Sequence, residues 1–272
     1  MGVLALLAAL VVLVPLVDLV VMVVIRSLPA LSLSLFTSPT QGAAGGLENA
    51  ILGTLLLVGL AMAISVPVGV AGGVYLGEFA RTGRLAGAVR FSADVLTGVP
   101  SIVLGYFGYV LMVVDLGWGF SALAGAVTLA IMAVPYIVRS TQMSLDRVDP
   151  ALREASLALG AGLGTTVARV TLRAARPGIV TGILIALSVA LGETAPLLYT
   201  AGWSSYPPAP HLLHAPVGYL TYVVWTFINE PMASAQHLAY AAALLLMLLV
   251  LGVNVLVRRL VSRAGRSELP IR

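Results

Sequence analysis

The sequence predicts an all-α, polytopic membrane protein with about six transmembrane helices. Three observations carry that prediction. The mean hydropathy is +1.04, with 60% of residues apolar and only 10% charged, where soluble domains carry about a quarter charged residues. Long apolar runs recur along the 272 residues, each near the roughly 20 residues a helix needs to cross hydrocarbon. Nearly all the positive charge lies in the segments between those runs.

The first run, Gly2–Ile25, is apolar except for Asp18. It is longer than a signal-peptide core and has no basic residues before it, so it reads as a retained first helix. Asp18 lies about two turns before Arg26, near the outer interface, where it is paired or wet. Residues 26–46, rich in Ser, Pro, Thr and Gly, read as a loop. Leu47–Leu76 is the second span, with Pro67 inside it. Val95–Val114, bracketed by Asp94 and Asp115, is the third. Phe120–Val138 is the fourth and ends at Arg139. Gly178–Thr200 is the fifth and carries Glu193. His237–Val257 is the sixth, stopped by Arg258 and Arg259. The expected organisation is therefore an N-terminal helix and linker over 1–46, a helical core over 47–260 and a tail over 261–272.

Charge orients these spans. All 15 cationic side chains are arginine, and 14 of them fall in residues 79–94, 139–177 and 258–272. Six alternating spans place those three segments on one side, with Arg26 alone opposite. The positive-inside rule makes that side cytoplasmic, with both termini inside and residues 26–46 and 201–236 outside. The pI near 9.7 then reports membrane topology and not nucleic-acid binding.

Composition also excludes chemistry. A phosphate-binding Walker A loop needs a lysine, and the chain has none, so any ATP hydrolysis belongs to another polypeptide. With no cysteine, neither a disulfide framework nor a thiolate metal site can form. His211 and His214 stand three residues apart without a third ligand, too little for zinc. The sequence predicts no catalytic residue, metal or cofactor. Residues 201–236 hold four prolines, then Tyr219, Tyr222, Trp225 and Phe227. That pattern suits a short amphipathic helix at the outer headgroup level, as an anchor or as a docking surface for an external partner.

The polar stretch 139–177 has helix signals of its own. Asp149 suits an N-cap, Pro150 the first helical position and Gly160 a C-terminal stop. Between them Leu152, Ala155, Ser156 and Leu159 recur at helical spacing, with Arg153 and Glu154 off that stripe. Its small residues allow close approach of the protein's own helix ends or of a partner. A second helical stretch, Thr165–Ala175, is expected to end at Pro177-Gly178 before the fifth span.

Glu154-Ala155-Ser156, then Gly160, then Val170-Thr171-Leu172 after nine residues, resembles the EAA loop of ABC importer permeases. Ser156, Val170 and Arg173 stand where that pattern has Ala, Ile and Pro. Asp94 to Val103, Gly192-Glu193-Thr194-Ala195-Pro196-Leu197-Leu198, and Leu55 to Phe79 with its Pro67, Tyr75 and Glu78 resemble the PstA-type permeases of phosphate-specific ABC importers. The likeness covers nearly all of the chain after residue 47. It implies a five-helix permease core preceded by one extra helix, in the bacterial cytoplasmic (inner) membrane. It also implies partners: two copies of an ABC ATPase subunit, a second permease and an extracytoplasmic phosphate-binding protein. Arg153, Glu154, Ala155, Ser156 and Gly160 would couple the chain to the ATPase, and the chain itself would be non-catalytic.

Glu193 is the expected functional residue inside the membrane, with Thr194 beside it in the substrate pathway. An ionised carboxylate at a span's centre costs on the order of 2.5–3.5 kcal/mol and calls for a partner, water or a proton. A role in helix packing is the alternative. A bare carboxylate repels a multivalent anion, and PstA-type permeases commonly carry an arginine one turn before this glutamate. Here that position is Ala190, and these boundaries leave no arginine within any span. The expectation is that a basic residue of the second permease meets Glu193. The same departure keeps another oxyanion cargo open: phosphonate, sulfate or molybdate. An ion-driven secondary transporter would show ionisable relays or internal repeats, and the sequence offers one buried acid and no repeat.

Overall fold

The computed structural model describes residues 2–80 and 83–266. Arg81, Arg272 and the tail residues 267–272, which enter the expectations above, lie outside the described residues. Helix α1, Gly2–Ser27, is apolar on every face and mostly exposed, as a helix surrounded by lipid is. Arg26, in its last turn, lies 5.5 Å from the centroid of the Tyr240 ring, so its partner is an aromatic face, while Asp18 is exposed. A short helix α2, Ser34–Thr37, and a two-stranded hairpin follow. Strand β1, Thr40–Gln41, pairs antiparallel with β2, Ala44–Gly45. The buried Asn49 pins this linker: it accepts from the Thr40 amide (3.0 Å) and hydroxyl (2.9 Å) and donates to the Ser204 carbonyl (2.8 Å).

Helix α3, Glu48–Val74, passes through Pro67 and continues as a wide π-helical turn, Tyr75–Phe79. Then come α4, Arg84–Gly98, and α5, Ser101–Gly108, the latter prolonged as a π-helical segment to Asp115. Helix α6, Ala122–Asp146, starts at an N-cap where the Ser121 hydroxyl accepts from the Ala124 amide. Helix α7 is Pro150–Ala158. Helix α8, Leu163–Thr166, a π-helical turn over Val167–Thr171 and α9, Leu172–Gly192, run end to end. Helices α10, Ala195–Thr200, α11, Leu220–Phe227, and α12, Ala233–Arg266, complete the chain.

Among the described residues, five helical stretches are long and apolar enough to cross a membrane, and α4 with α5, bent by 105°, is a broken span or a re-entrant pair. The expected straight third span, Val95–Val114, is therefore corrected. Pro100 has no N–H to continue the helix and holds Val99 extended (ψ 130°). The fifth span is corrected at both ends, since its helix starts at Leu163 and stops at Gly192, leaving Glu193 outside it. Pro177 does not break that helix. It stands six residues past the wide turn at Val167–Thr171, and packing of α9 on α6 overrides the local signal. Helix α6 runs past Val138 to Asp146, which places Arg139 inside a spanning helix, and the Leu163–Gly192 stretch takes in Arg169, Arg173 and Arg176, against the expectation of no arginine within any span. Arg139 pairs with Asp94 of α4, both half-exposed, so the charge that marked a span end is carried within the helix.

The core is made by α3 packing on α6 and α6 on α9. Its buried positions are largely alanine, among them Ala61, Ala126, Ala130, Ala133, Ala186 and Ala190, and small residues let helices approach closely where lipid removes the hydrophobic drive. Leu57, Leu129, Leu191, Leu197 and Tyr219 fill the space between. Helix α11 is the expected short aromatic helix, though it is tucked in: Trp225 is exposed, Phe227 is buried and Tyr222 stacks on Trp203 at 4.3 Å.

Candidate coupling helix and pathway

Two helix breaks lie side by side. One is Val99-Pro100, before α5; the other is Glu193-Thr194, between α9 and α10. Helices α5 and α10 pack directly, and at Gly105 a Cβ would stand 2.5 Å from the Pro196 Cα, so only glycine permits the approach. Glu193 is half-buried and extended (φ −73°, ψ 132°). Its carboxylate has the Ser101 hydroxyl as hydrogen-bonding neighbour, and its main-chain carbonyl accepts from the Thr221 hydroxyl at 2.9 Å. Thr194 opens α10, its carbonyl accepting from the Leu197 and Leu198 amides.

Ser101 is the first residue of α5, so the carboxylate lies at the end of a helix where the backbone dipole favours a negative charge. Ala190 is buried in the cluster of Leu57 and Leu129, which leaves little room for a long cation. The Glu193 carboxyl group thus has a hydroxyl and a helix start of its own chain beside it. Neither Ser101 nor Thr221 was picked out from the sequence as a site residue. Pro100 ahead of Ser101 was the available signal, since a proline inside an apolar run frees the helix end that follows it.

Helix α7 begins as expected. The Asp149 carboxylate accepts from the Ala151 amide at 2.9 Å, and Pro150 takes the first helical position. Gly160, at φ +85°, ends it in the left-handed conformation that glycine adopts without strain. Its orientation differs from the expected stripe. Leu152, Ala155 and Leu159 are exposed, whereas Arg153, expected off the stripe, turns inward. Arg153 Nη2 donates to Glu78 Oε1 at 2.7 Å and to the Leu145 carbonyl at 2.7 Å, Nε to both Glu78 oxygens at 3.2 Å, and Nη1 to the Val148 carbonyl at 3.0 Å. The pair is largely buried, with side-chain exposures of 16% and 5%. A guanidinium that reaches both Glu78 and the carbonyls of Leu145 and Val148 gains more there than a leucine could, which is why Arg153 takes the inner position. The Ser156 and Thr166 hydroxyls are 2.9 Å apart, while Glu154 and Gly160 are exposed.

The structure does not bring the two groups of candidate residues together. Helix α7 lies near the start of the α8–α9 run and Glu193 at its end, separated by the 21 residues of α9, roughly 30 Å of helix.

The chain is similar to known proteins over most of its length. Residues 69–266 match the family described as binding-protein-dependent transport system inner membrane component. The phosphate transport system permease protein PstA 2 of Mycobacterium bovis is 47% identical over 243 residues, which are 89% of this chain and 80% of that protein. PstA of Xylella fastidiosa is 41% identical over 240 residues, 88% of this chain and 83% of that one. Among solved structures, an inward-facing MetNI methionine ABC transporter aligns at a TM-score of 0.61 and 22% identity, covering 80% of this chain and 95% of that one. An amino acid ABC transporter aligns at 0.57 and 17%, covering 80% and 92%. These last two share the fold. With a family match over residues 69–266 and relatives 41–47% identical over most of its length, the chain belongs to the binding-protein-dependent transport system inner membrane components and, within them, to the PstA-type permeases.

Proposed function

We propose that this chain is the permease subunit of an ATP-driven importer that moves inorganic phosphate into the bacterial cytoplasm. The carrying observation is α7, a helix fixed to the spans from within by Arg153 and Ser156 and open outward at Leu152, Glu154, Ala155 and Leu159. An apolar, exposed helix face at the end of a membrane bundle suits a groove in a separate ATPase subunit, two copies of which serve a pair of permeases. The relatives similar over most of the chain are named phosphate transport system permeases, and that supports phosphate as cargo and an extracytoplasmic phosphate-binding protein as its source. ATP hydrolysis resides in the partner, and this chain converts closure of the ATPase into a change of pathway opening. The arginine distribution supports cytoplasmic termini and a cytoplasmic α7. Glu193, Thr194 and Ser101 line the pathway, and a basic residue of the second permease completes the site there.

The test is reconstitution of the chain with its ATPase and second permease in proteoliposomes, with binding protein outside and ATP inside. Uptake of radiolabelled phosphate that requires ATP is the expected result. Ala190 favours a second cargo reading, and competition by excess sulfate, molybdate or phosphonate separates the two. Uptake that persists without the ATPase overturns the importer reading.

A further inference from the structure

Helix α7 is held to the spans at two points, and a wide helical turn adjoins each. At the first, Arg153 grips Glu78, which lies in the π-helical turn Tyr75–Phe79 at the end of α3. At the second, Ser156 meets Thr166, the last residue before the π-helical turn Val167–Thr171 that leads into α9. A π turn carries one residue more than the α-helix around it, and such turns recur at functional sites. Passing that residue along the helix rotates whatever lies beyond it, which gives a span two discrete arrangements.

We propose that the Arg153–Glu78 clasp is the joint through which displacement of α7 enters α3. Glu78 is then a positioning residue that acts through Arg153 and contacts neither ATP nor cargo. This rests on the reading of α7 as the ATPase-facing helix. The geometry leaves Arg153 little to offer an outside partner. Its Nε and Nη2 are spent on Glu78 and Leu145, its Nη1 on Val148, and 16% of the side chain is exposed. The same guanidinium binds the Leu145 carbonyl in the last turn of α6 and the Val148 carbonyl just past it, so one side chain of α7 grips two spans that pack on each other. A buried pair of this kind resists opening, because either partner left alone is an uncompensated charge. When α7 moves, Glu78 has to follow, and the wide turn that holds it is the compliant element.

The experiment uses the assembled complex in proteoliposomes and reads phosphate taken up per ATP hydrolysed. Glu78→Gln keeps the shape of the side chain and removes its charge; Arg153→Gln removes the guanidinium; the third sample carries both. Each single substitution is expected to lower the ratio at least about fivefold while hydrolysis continues, with the double no worse than the poorer single, as for two residues acting as one unit. A wild-type ratio in Glu78→Gln, or losses that multiply in the double, overturns the clasp. A second readout is independent of cargo: the nucleotide-dependent change in amide exchange over Tyr75–Phe79. Its presence in wild type and loss in Arg153→Gln supports the clasp, and its persistence in Arg153→Gln overturns it. A wild-type complex that hydrolyses ATP without taking up phosphate overturns the cargo assignment instead, and the exchange measurement still decides the clasp.

Discussion

The Thr221 hydroxyl donates a 2.9 Å hydrogen bond to the main-chain carbonyl of Glu193, so a residue of α11 holds the break between α9 and α10 in shape. Thr221 is itself buried. Thr221→Val keeps the volume and strands a carbonyl, at a cost of about 1–3 kcal/mol. The melting temperature of the purified complex is expected to fall by roughly 2–4 °C per kcal/mol, and Thr221→Ser is expected to restore most of it. Equal melting of Thr221→Val and wild type would show that the bond carries no load.

Glu193 supplies the second prediction. Glu193→Gln and Glu193→Ala are expected to abolish or strongly reduce uptake in the assembled complex while insertion is retained. Wild-type rates in both variants would return Glu193 to a packing role.

At Gly160 the left-handed backbone costs any other L-residue about 1–2 kcal/mol. Gly160→Trp adds bulk to that strain at the exposed end of α7. ATP hydrolysis is expected to continue while uptake falls, with insertion intact. Unchanged uptake would count against α7 as the coupling element. Gly160→Asn is expected to sit between the two, since asparagine tolerates this conformation better than most.

A fourth expectation concerns Asp149. Asp149→Ala removes the cap of α7 and costs about 1 kcal/mol of helix stability, which would appear as faster amide exchange at Ala151 with no change elsewhere. Asp149→Ser is expected to hold the wild-type rate. Equal exchange in all three would mean that Pro150 alone starts the helix.

Much of this architecture was legible because lipid imposes length and polarity on spans, and caps are written in single residues. Asp149, Pro150 and Gly160 mark α7 to within a residue or two. The breaks were less legible. Pro100 and Pro177 look alike in sequence, yet one ends a helix and the other sits inside one, because the outcome depends on what neighbouring helices supply to the freed carbonyls. Arg139 misled in the same way: a charge that looks like a boundary is carried inside α6 once Asp94 stands across from it. The inward turn of Arg153 had no signal at all, since its partner Glu78 is 75 residues away and pairing at that separation is decided by the fold.

The neighbouring breaks also bear on which way the molecule faces within the plane of a bilayer. A bent helix leaves main-chain groups without their usual partners, and hydrocarbon offers none. The edge formed by α5 and α10 therefore cannot look out on lipid tails; it must turn toward protein or water. Helix α1, packed on α12 and apolar all round, has the opposite character and suits the periphery. The chain thus carries a compass bearing, with its interrupted edge turned from the lipid tails and its first helix toward the open membrane.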